Sequence, residues 1–109
     1  MKKSRLTIVV CALFFAIAAA AFAQTPATDA SLTANPVFQK NCQKCHGKTA
    51  MGRHFAGPSL ASDKVAAASA DDLRKIISDG KGHMPKFAAK LTPEEIDALV
   101  HQVQALSQK

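Results

Sequence analysis

The chain has 109 residues, with 14 Lys and Arg against 8 Asp and Glu, three cysteines, and neither Tyr nor Trp. A chain of this length forms one small domain, and such domains commonly depend on a disulfide, a metal or a cofactor because their apolar core is limited. The lack of Tyr and Trp side chains for stacking on bases makes nucleic-acid binding a poor explanation of the positive charge.

Residues 1–23 predict a secretory signal peptide. They begin with three basic residues, continue through the apolar run 6–20 and end in the small-residue pattern A-x-A at 21–23. The alternative is an uncleaved membrane anchor, although the apolar run is short for a membrane span. Cleavage removes Cys11 and three basic residues, which leaves 11 basic residues, 8 acidic residues and two cysteines. We therefore expect an exported, periplasmic protein.

Residues 24–34 are rich in Thr, Ala and Ser, and they predict a flexible lead-in to a folded domain at 35–109. A first helix should begin with Asn35 as its N-cap and Pro36 in its first turn. Gly47 should end this helix, because glycine readily adopts the backbone conformation that follows a helix.

The segment from Gly47 to Ala68 has no sustained hydrophobic period, apart from a short helical turn expected near its end. Long irregular segments in compact domains are usually functional or disordered. A middle helix should begin at Ser69, where Ser-Ala-Asp-Asp resembles a capping box, and it should end at Gly80.

A last helix should begin at Thr92, which is followed by Pro93 in the first turn and by Glu95 at the third position. Its apolar stripe comprises Ile96, Leu99, Val100, Val103 and Leu106. Its opposite, polar face comprises Glu94, Asp97, His101, Gln102 and Gln104. No strand pattern occurs, so the predicted fold is all-α with three principal helices.

The run Cys42-Gln43-Lys44-Cys45-His46 carries the clearest chemical signal. Positions i, i+3 and i+4 of a helical turn share one face, so the two thiols and the imidazole should project together. This arrangement suits the two vinyl edges and the iron of a porphyrin, and C-x-x-C-H is typical of covalent haem c attachment. A buried haem would also supply the apolar interior that so short a chain lacks.

Three other interpretations of Cys42 and Cys45 compete with haem attachment. A thiol–disulfide redox site would need a thiol of low pKa in an α/β fold, and no strands are predicted. A zinc site would need four ligands, with His54 or His83 completing the set. A disulfide would close a loop of only a few residues and would therefore stabilise little.

Met84, followed by Pro85, is the candidate ligand for the opposite face of the haem. It lies in a glycine-containing loop that is polar apart from Met84 and Phe87, so filling the core alone does not explain it well. His83 is the nearest rival, because both His and Met serve as axial ligands of haem iron. Weaker candidates are Met51, His54 and His101.

These motifs in this order resemble the small class I c-type cytochromes. That family has an N-terminal helix with a Phe four residues before C-x-x-C-H, a Gly-Pro-x-Leu loop, a middle helix, a Met-Pro loop and a C-terminal helix. The chain shows Phe38, Cys42 to His46, Gly57-Pro58-Ser59-Leu60, Met84-Pro85 and Leu91 to Ile96. The resemblance implies an all-α, cytochrome c-like fold around one haem c.

The resemblance also implies a role for each site residue. Cys42 and Cys45 would form the thioether bonds, and His46 and Met84 would be the axial ligands of the iron. The carbonyl of Pro58 would accept a hydrogen bond from the second nitrogen of His46 and so fix the orientation of the ring.

The chain departs from the family where the terminal helices cross. The family usually packs a Gly against an aromatic residue there, whereas this chain has Ala34 and Gln102. We expect the crossing to be looser, or to be set by Phe38 against Val103 and Leu99.

Two segments, residues 39–62 and 80–93, contain basic residues and no acidic ones. Their basic residues are Lys40, Lys44, Lys48 and Arg53 in the first segment and Lys81, Lys86 and Lys90 in the second. Both segments should border the cofactor, so the exposed haem edge would lie within a basic ring that favours an acidic docking face on a redox partner. Ordinary solvated lysines are the alternative interpretation.

The predicted function is one-electron transfer by haem c between periplasmic or membrane redox partners, with membrane contact only through partner complexes. Two protein ligands on the iron leave no open position for a substrate, which favours a carrier over an enzyme. The alternatives are a haem subunit of a larger dehydrogenase or sulfur-oxidising complex, and a haem-based ligand sensor with an open axial position.

Overall fold

The computed structural model describes residues 31–108, so the predicted signal peptide and residues 24–30 of the lead-in lie outside the described residues. A 3-10 turn at Leu32–Ala34 precedes five helices. They are α1 (Pro36–Asn41), α2 (Gln43–His46), α3 (Asp63–Ala66), α4 (Ala70–Asp79) and α5 (Pro93–Ser107). Two isolated bridges, Arg53 with Gly57 and Lys81 with Met84, are the strand-like pairings within the described range. The prediction of an all-α fold is therefore confirmed.

The two long helices begin at the capping boxes that the sequence predicts. The Ser69 hydroxyl accepts a hydrogen bond from the Asp72 N–H at 3.0 Å, and the Asp72 carboxylate accepts one from the Ser69 N–H at 3.3 Å. Thr92 and Glu95 form the same reciprocal pair at the start of α5. Each pair satisfies backbone N–H groups that have no partner within the helix, which stabilises the helix start by about 1 kcal/mol.

The predicted first helix is divided into α1 and α2 at Cys42, whose backbone angles are φ −117° and ψ −35°. The hydrogen-bonded chain nevertheless continues through the division. The Cys42 N–H donates to the Phe38 carbonyl at 2.8 Å, and the His46 N–H donates to the Cys42 carbonyl at 3.0 Å. The two short helices are therefore nearly continuous, with a local bend at Cys42.

The core lies between α1, α4 and α5, and its most deeply buried large side chains are Phe38, Leu99 and Val100. Helix α5 packs against α3, α4 and the 3-10 turn. Leu32, which the sequence analysis placed in the flexible lead-in, is only 3% exposed and belongs to this core. Residues 32–34 are thus ordered by burial of one leucine.

Gln102 is buried, so the prediction that it belongs to the polar face opposite the apolar stripe of α5 is wrong. Its side chain is 3% exposed, and its Oε1 accepts a hydrogen bond from Asn35 Nδ2 at 2.8 Å. A buried amide is stable only when its polar atoms are hydrogen-bonded, and Asn35 supplies this partner. Phe38, Leu99 and Val103 belong to one buried core cluster. This agrees with the expectation that Phe38 packs against Val103 and Leu99 where the terminal helices cross.

Candidate functional site

The two cysteines and the histidine lie on one turn at the junction of α1 and α2. The N–H groups of Cys45 and His46 both donate to the Cys42 carbonyl, at 3.1 and 3.0 Å. Cys42 is partly buried, Cys45 is exposed, and both thiols are free. The turn therefore presents two thiols and one imidazole from adjacent positions, as the spacing predicts.

The imidazole of His46 is oriented by the backbone of a distant loop. Its Nδ1 lies 2.8 Å from the carbonyl oxygen of Pro58. Because a carbonyl oxygen can only accept, Nδ1 must carry the proton in this contact, and the lone pair of a neutral ring is then on Nε2. This is the arrangement that a metal-binding histidine requires, with the hydrogen bond fixing both the tautomer and the ring orientation.

The loop that carries Pro58 packs directly on the attachment turn. A Cβ atom added to Gly57 would lie 3.0 Å from the Cys45 carbonyl oxygen, so a side chain there would force the two backbones slightly apart. Arg53 anchors the same loop to the attachment turn, because its Nη1 donates to the Lys44 carbonyl at 2.7 Å. The backbone of the loop is therefore held against the second cysteine, which keeps the Pro58 carbonyl within reach of His46.

Met84 lies in a second loop, anchored to the end of α4. The Met84 N–H donates to the Lys81 carbonyl at 3.0 Å, and the return bond measures 3.3 Å. Gly80 has φ +75°, and a Cβ atom there would collide with the Met84 carbonyl oxygen. The Phe87 N–H donates to the Ile77 carbonyl at 3.1 Å, which fastens the end of the loop to the helix. Met84 is half-buried in a loop of fixed shape.

The structure thus groups Cys42, Cys45, His46 and Pro58 at one place and holds Met84 in a separate, well-braced loop. The rival ligand His83 is exposed, whereas Met84 is half-buried. Met51, His54 and His101 are exposed as well. Partial burial favours Met84 over these alternatives as the residue that faces the interior.

The pKa of the Cys42 thiol argues against a thiol–disulfide redox site. Burial, with the neighbouring Cys45 as a smaller cause, raises the pKa of the Cys42 thiol to about 11. A redox-active thiol needs a lowered pKa, because the thiolate is the reactive form. Within residues 31–108, no three side chains of His, Cys, Asp or Glu come together in a group that could hold a metal ion.

The residues present fit a covalently attached haem. They supply one partly buried and one exposed thiol, an imidazole with its proton on Nδ1, and a half-buried thioether sulfur. This donor set is that of haem c with His and Met ligation. Two features near the site are not predicted by any sequence motif. One is the hydrogen bond from Arg53 to the Lys44 carbonyl, and the other is the conformation of Phe55, whose φ is +60°. Both depend on how the loop 47–58 folds back against the attachment turn, which the local sequence does not specify.

The family model described as cytochrome c oxidase, cbb3-type, subunit III matches residues 29–101. Cytochrome c6 of Gloeothece citriformis (strain PCC 7424) is 29% identical over 67% of this chain and 68% of its own length. Cytochrome c6 of Microcystis aeruginosa is 30% identical over 67% of this chain and 93% of its own length. The oxidase subunit FixP of Bradyrhizobium sp. (strain ORS 278) is 33% identical, but the match spans only 25% of its length.

Solved structures of c-type cytochromes share the fold. Cytochrome c6C from Synechococcus sp. PCC 7002 superposes with a TM-score of 0.59 at 27% identity, covering 72% of this chain and 96% of that one. The KustC0563 c-type cytochrome superposes with a TM-score of 0.58 at 28% identity, covering 64% and 92% of the two chains. The helical arrangement around the attachment turn is therefore common to this chain and these proteins.

Proposed function

Because the chain belongs to the cytochrome c family, as a small monohaem class I member with covalently bound haem c, we propose that it is a one-electron carrier in the periplasm. Its thioether bonds are made by Cys42 and Cys45, and its axial ligands are His46 and Met84. Haem-based electron transfer follows from the family, whereas this ligand set and the carrier role are the proposal.

The hydrogen bond between His46 Nδ1 and the Pro58 carbonyl is the observation that supports the ligand set most strongly. It fixes the proton on Nδ1 and directs Nε2 away from the loop, so the imidazole is prepared for the iron. It also couples the motif to a Gly-Pro loop 12 residues away, which a chance C-x-x-C-H run would not require.

The bound haem supplies a one-electron couple between ferric and ferrous iron. This chain's own residues would hold the group: Cys42 and Cys45 would bind it covalently, and His46 and the Met84 sulfur would ligate the iron. A thioether ligand favours the ferrous state and raises the potential. Two protein ligands on the iron would leave no open position for a substrate or gas, which would separate this function from a ligand sensor.

The exposed basic residues support transfer to a protein partner. The lysines and the arginine of the two acid-free segments are all exposed, and none of them forms an ion pair within residues 31–108. No helix in the described part of the chain is long and apolar enough to span a membrane. An acidic docking face on a redox partner is therefore the proposed complement of this surface.

A second candidate function is a haem subunit of a larger complex. The matched family model and the FixP and CcoP relatives carry the names of oxidase subunits, and the chain spans about a quarter of the length of those relatives. Purification at high salt distinguishes the two candidates. A carrier is recovered alone, whereas a resident subunit is recovered with its complex.

The attachment itself is tested on protein purified from a host that exports and matures c-type cytochromes. The mass of the mature chain should exceed that of the polypeptide by one haem, and the haem should stay on the chain in a denaturing gel. Replacement of either Cys42 or Cys45 by Ala should leave at most one covalent bond. A folded, colourless protein with the mass of the bare polypeptide would contradict the proposal.

A further inference from the structure

Phe55 is fully exposed on the surface beside the attachment turn. Its exposed fraction is 105%, and that of Met51, four residues earlier, is 58%. These two are the large hydrophobic side chains that stand exposed among residues 31–108. Both lie in the loop between His46 and Pro58, so the exposed large apolar side chains of this range are confined to one segment. Apolar exposure confined in this way marks an interaction surface more often than scattered single residues do.

The backbone holds Phe55 in an unfavourable conformation. Its φ is +60°, a region that costs a non-glycine residue about 1–2 kcal/mol. The surrounding turn enforces it: the Arg53 N–H donates to the Gly57 carbonyl at 2.9 Å, and the Ala56 N–H donates to the Arg53 carbonyl at 3.2 Å. Strain of this kind, at an aromatic side chain in water, is a feature of functional positions.

The turn that presents Phe55 is fixed to the haem-attachment turn. Gly57 lies in contact with Cys45, and Arg53 donates to the Lys44 carbonyl at 2.7 Å. Phe55 is therefore held two residues from the contact with Cys45, on a braced loop. A partner that binds the Phe55 side chain would therefore lie close to Cys45, the second thioether position.

The charges of the segment that contains Phe55 specify the kind of partner. Lys44, Lys48 and Arg53 are exposed and form no ion pairs within the described residues, and the sequence from 39 to 62 contains no acid. A surface with an apolar centre and a basic rim complements an apolar recess with an acidic rim. Desolvation of a rigid aromatic ring in such a recess is the usual source of a binding hot spot.

We propose that Phe55, in the same loop as the exposed Met51, is the apolar anchor through which this protein docks on its redox partner, in a recess rimmed by carboxylates. The inference rests on the carrier function proposed above and specifies the surface that this carrier uses. Basic residues guide the approach, and burial of Phe55 then holds the haem attachment turn against the partner for long enough to transfer an electron.

The test uses reduced, haem-loaded protein and washed membranes of the organism that encodes the chain, with oxidation followed spectroscopically. Phe55→Asn removes the ring and keeps a residue that tolerates positive φ. It should raise the protein concentration for half-maximal rate about tenfold. Phe55→Tyr keeps the ring and should stay within about twofold of the original value. His101→Asn is the matched control, because it removes an exposed ring from α5, and it should change nothing.

Each alternative gives a different result. Equal half-maximal concentrations for Phe55→Asn and the unsubstituted chain overturn the anchor. A shift in midpoint potential or visible spectrum of Phe55→Asn also overturns it, because the ring would then cover the haem. Phe55-dependent binding to protein-free anionic lipid vesicles assigns the ring to a membrane instead. If the unsubstituted protein is not oxidised by the membranes at all, the carrier function itself fails.

Discussion

The side-chain amide of Asn35 joins the two ends of the fold, because its Nδ2 donates to Gln102 Oε1 at 2.8 Å across 67 positions of sequence. The Oδ1 of the same amide accepts from the Val37 N–H at 2.8 Å and caps α1. One residue thus begins the helix that leads to the cysteines and fastens it to α5. Both amides are buried, so the pair replaces apolar packing with a hydrogen bond inside the core.

Asn35→Ala should destabilise the haem-loaded protein more than the loss of an ordinary helix cap. A cap contributes about 1 kcal/mol, and removing one partner from a buried amide costs about 1–3 kcal/mol more. The free energy of unfolding in urea measures the difference. Ser69→Ala is the control, because it removes an exposed N-cap and should cost only about 1 kcal/mol. Equal losses for the two variants would show that the buried hydrogen bond contributes nothing.

Met84→Ala should keep its covalent haem, lose the weak absorption band of the sulfur–iron bond and acquire a lower midpoint potential, because a thioether ligand favours ferrous iron. Visible spectroscopy and redox titration measure these changes. Met51→Ala removes a methionine that is 58% exposed and should leave both the band and the potential unchanged. Persistence of the band in Met84→Ala would mean that another residue binds the iron.

Gly80→Ala and Gly82→Ala form a matched pair in the Met84 loop. Both glycines have positive φ, +75° and +58°, but a Cβ atom on Gly80 meets the Met84 backbone whereas one on Gly82 meets nothing within 4 Å. Gly82→Ala should therefore cost only the conformational strain of about 1–2 kcal/mol. Gly80→Ala should cost more and should also weaken the sulfur–iron band, because Met84 must move. An unchanged band in Gly80→Ala would argue that the loop does not position the ligand.

The oxidation rate by washed membranes should fall steeply as salt is added. Exposed charges attract a partner over about 10 Å at 0.1 M ionic strength and over less at higher salt. Lys48→Gln removes a charge from an acid-free segment and should lower the rate at low salt. Lys64→Gln, an equally exposed lysine on α3 beside Asp63, should lower it less. A rate that is flat in salt would remove the support for an acidic docking face.

Features that depend on adjacent residues were predictable from the sequence. The capping boxes at Ser69 and Thr92 and the helix end at Gly80 occur as expected, because each needs only side chains within a few positions of the backbone that they satisfy. The i, i+3, i+4 geometry of the C-x-x-C-H turn is local in the same way.

Features that depend on distant partners were not predictable. Periodicity assigns Gln102 to solvent because it is polar, and its burial depends on an asparagine at the other end of the domain. Leu32 looks like part of a flexible segment until α5 covers it. The exposure of Phe55 arises from a positive φ that is enforced by a loop closure, and no propensity of phenylalanine indicates it.

Asn35 both caps α1 and donates a hydrogen bond to Gln102 in α5, and this affects the order in which the chain folds. Helix α1 has six residues, too few for a stable isolated helix, and its start is secured by a residue whose second hydrogen bond reaches α5. A polypeptide that emerges from the ribosome or crosses the membrane N-terminus first presents Cys42 and Cys45 well before position 102. Both thiols are therefore presented before the hydrogen bond from Asn35 to α5 can form, and closure by the C-terminal helix comes afterwards.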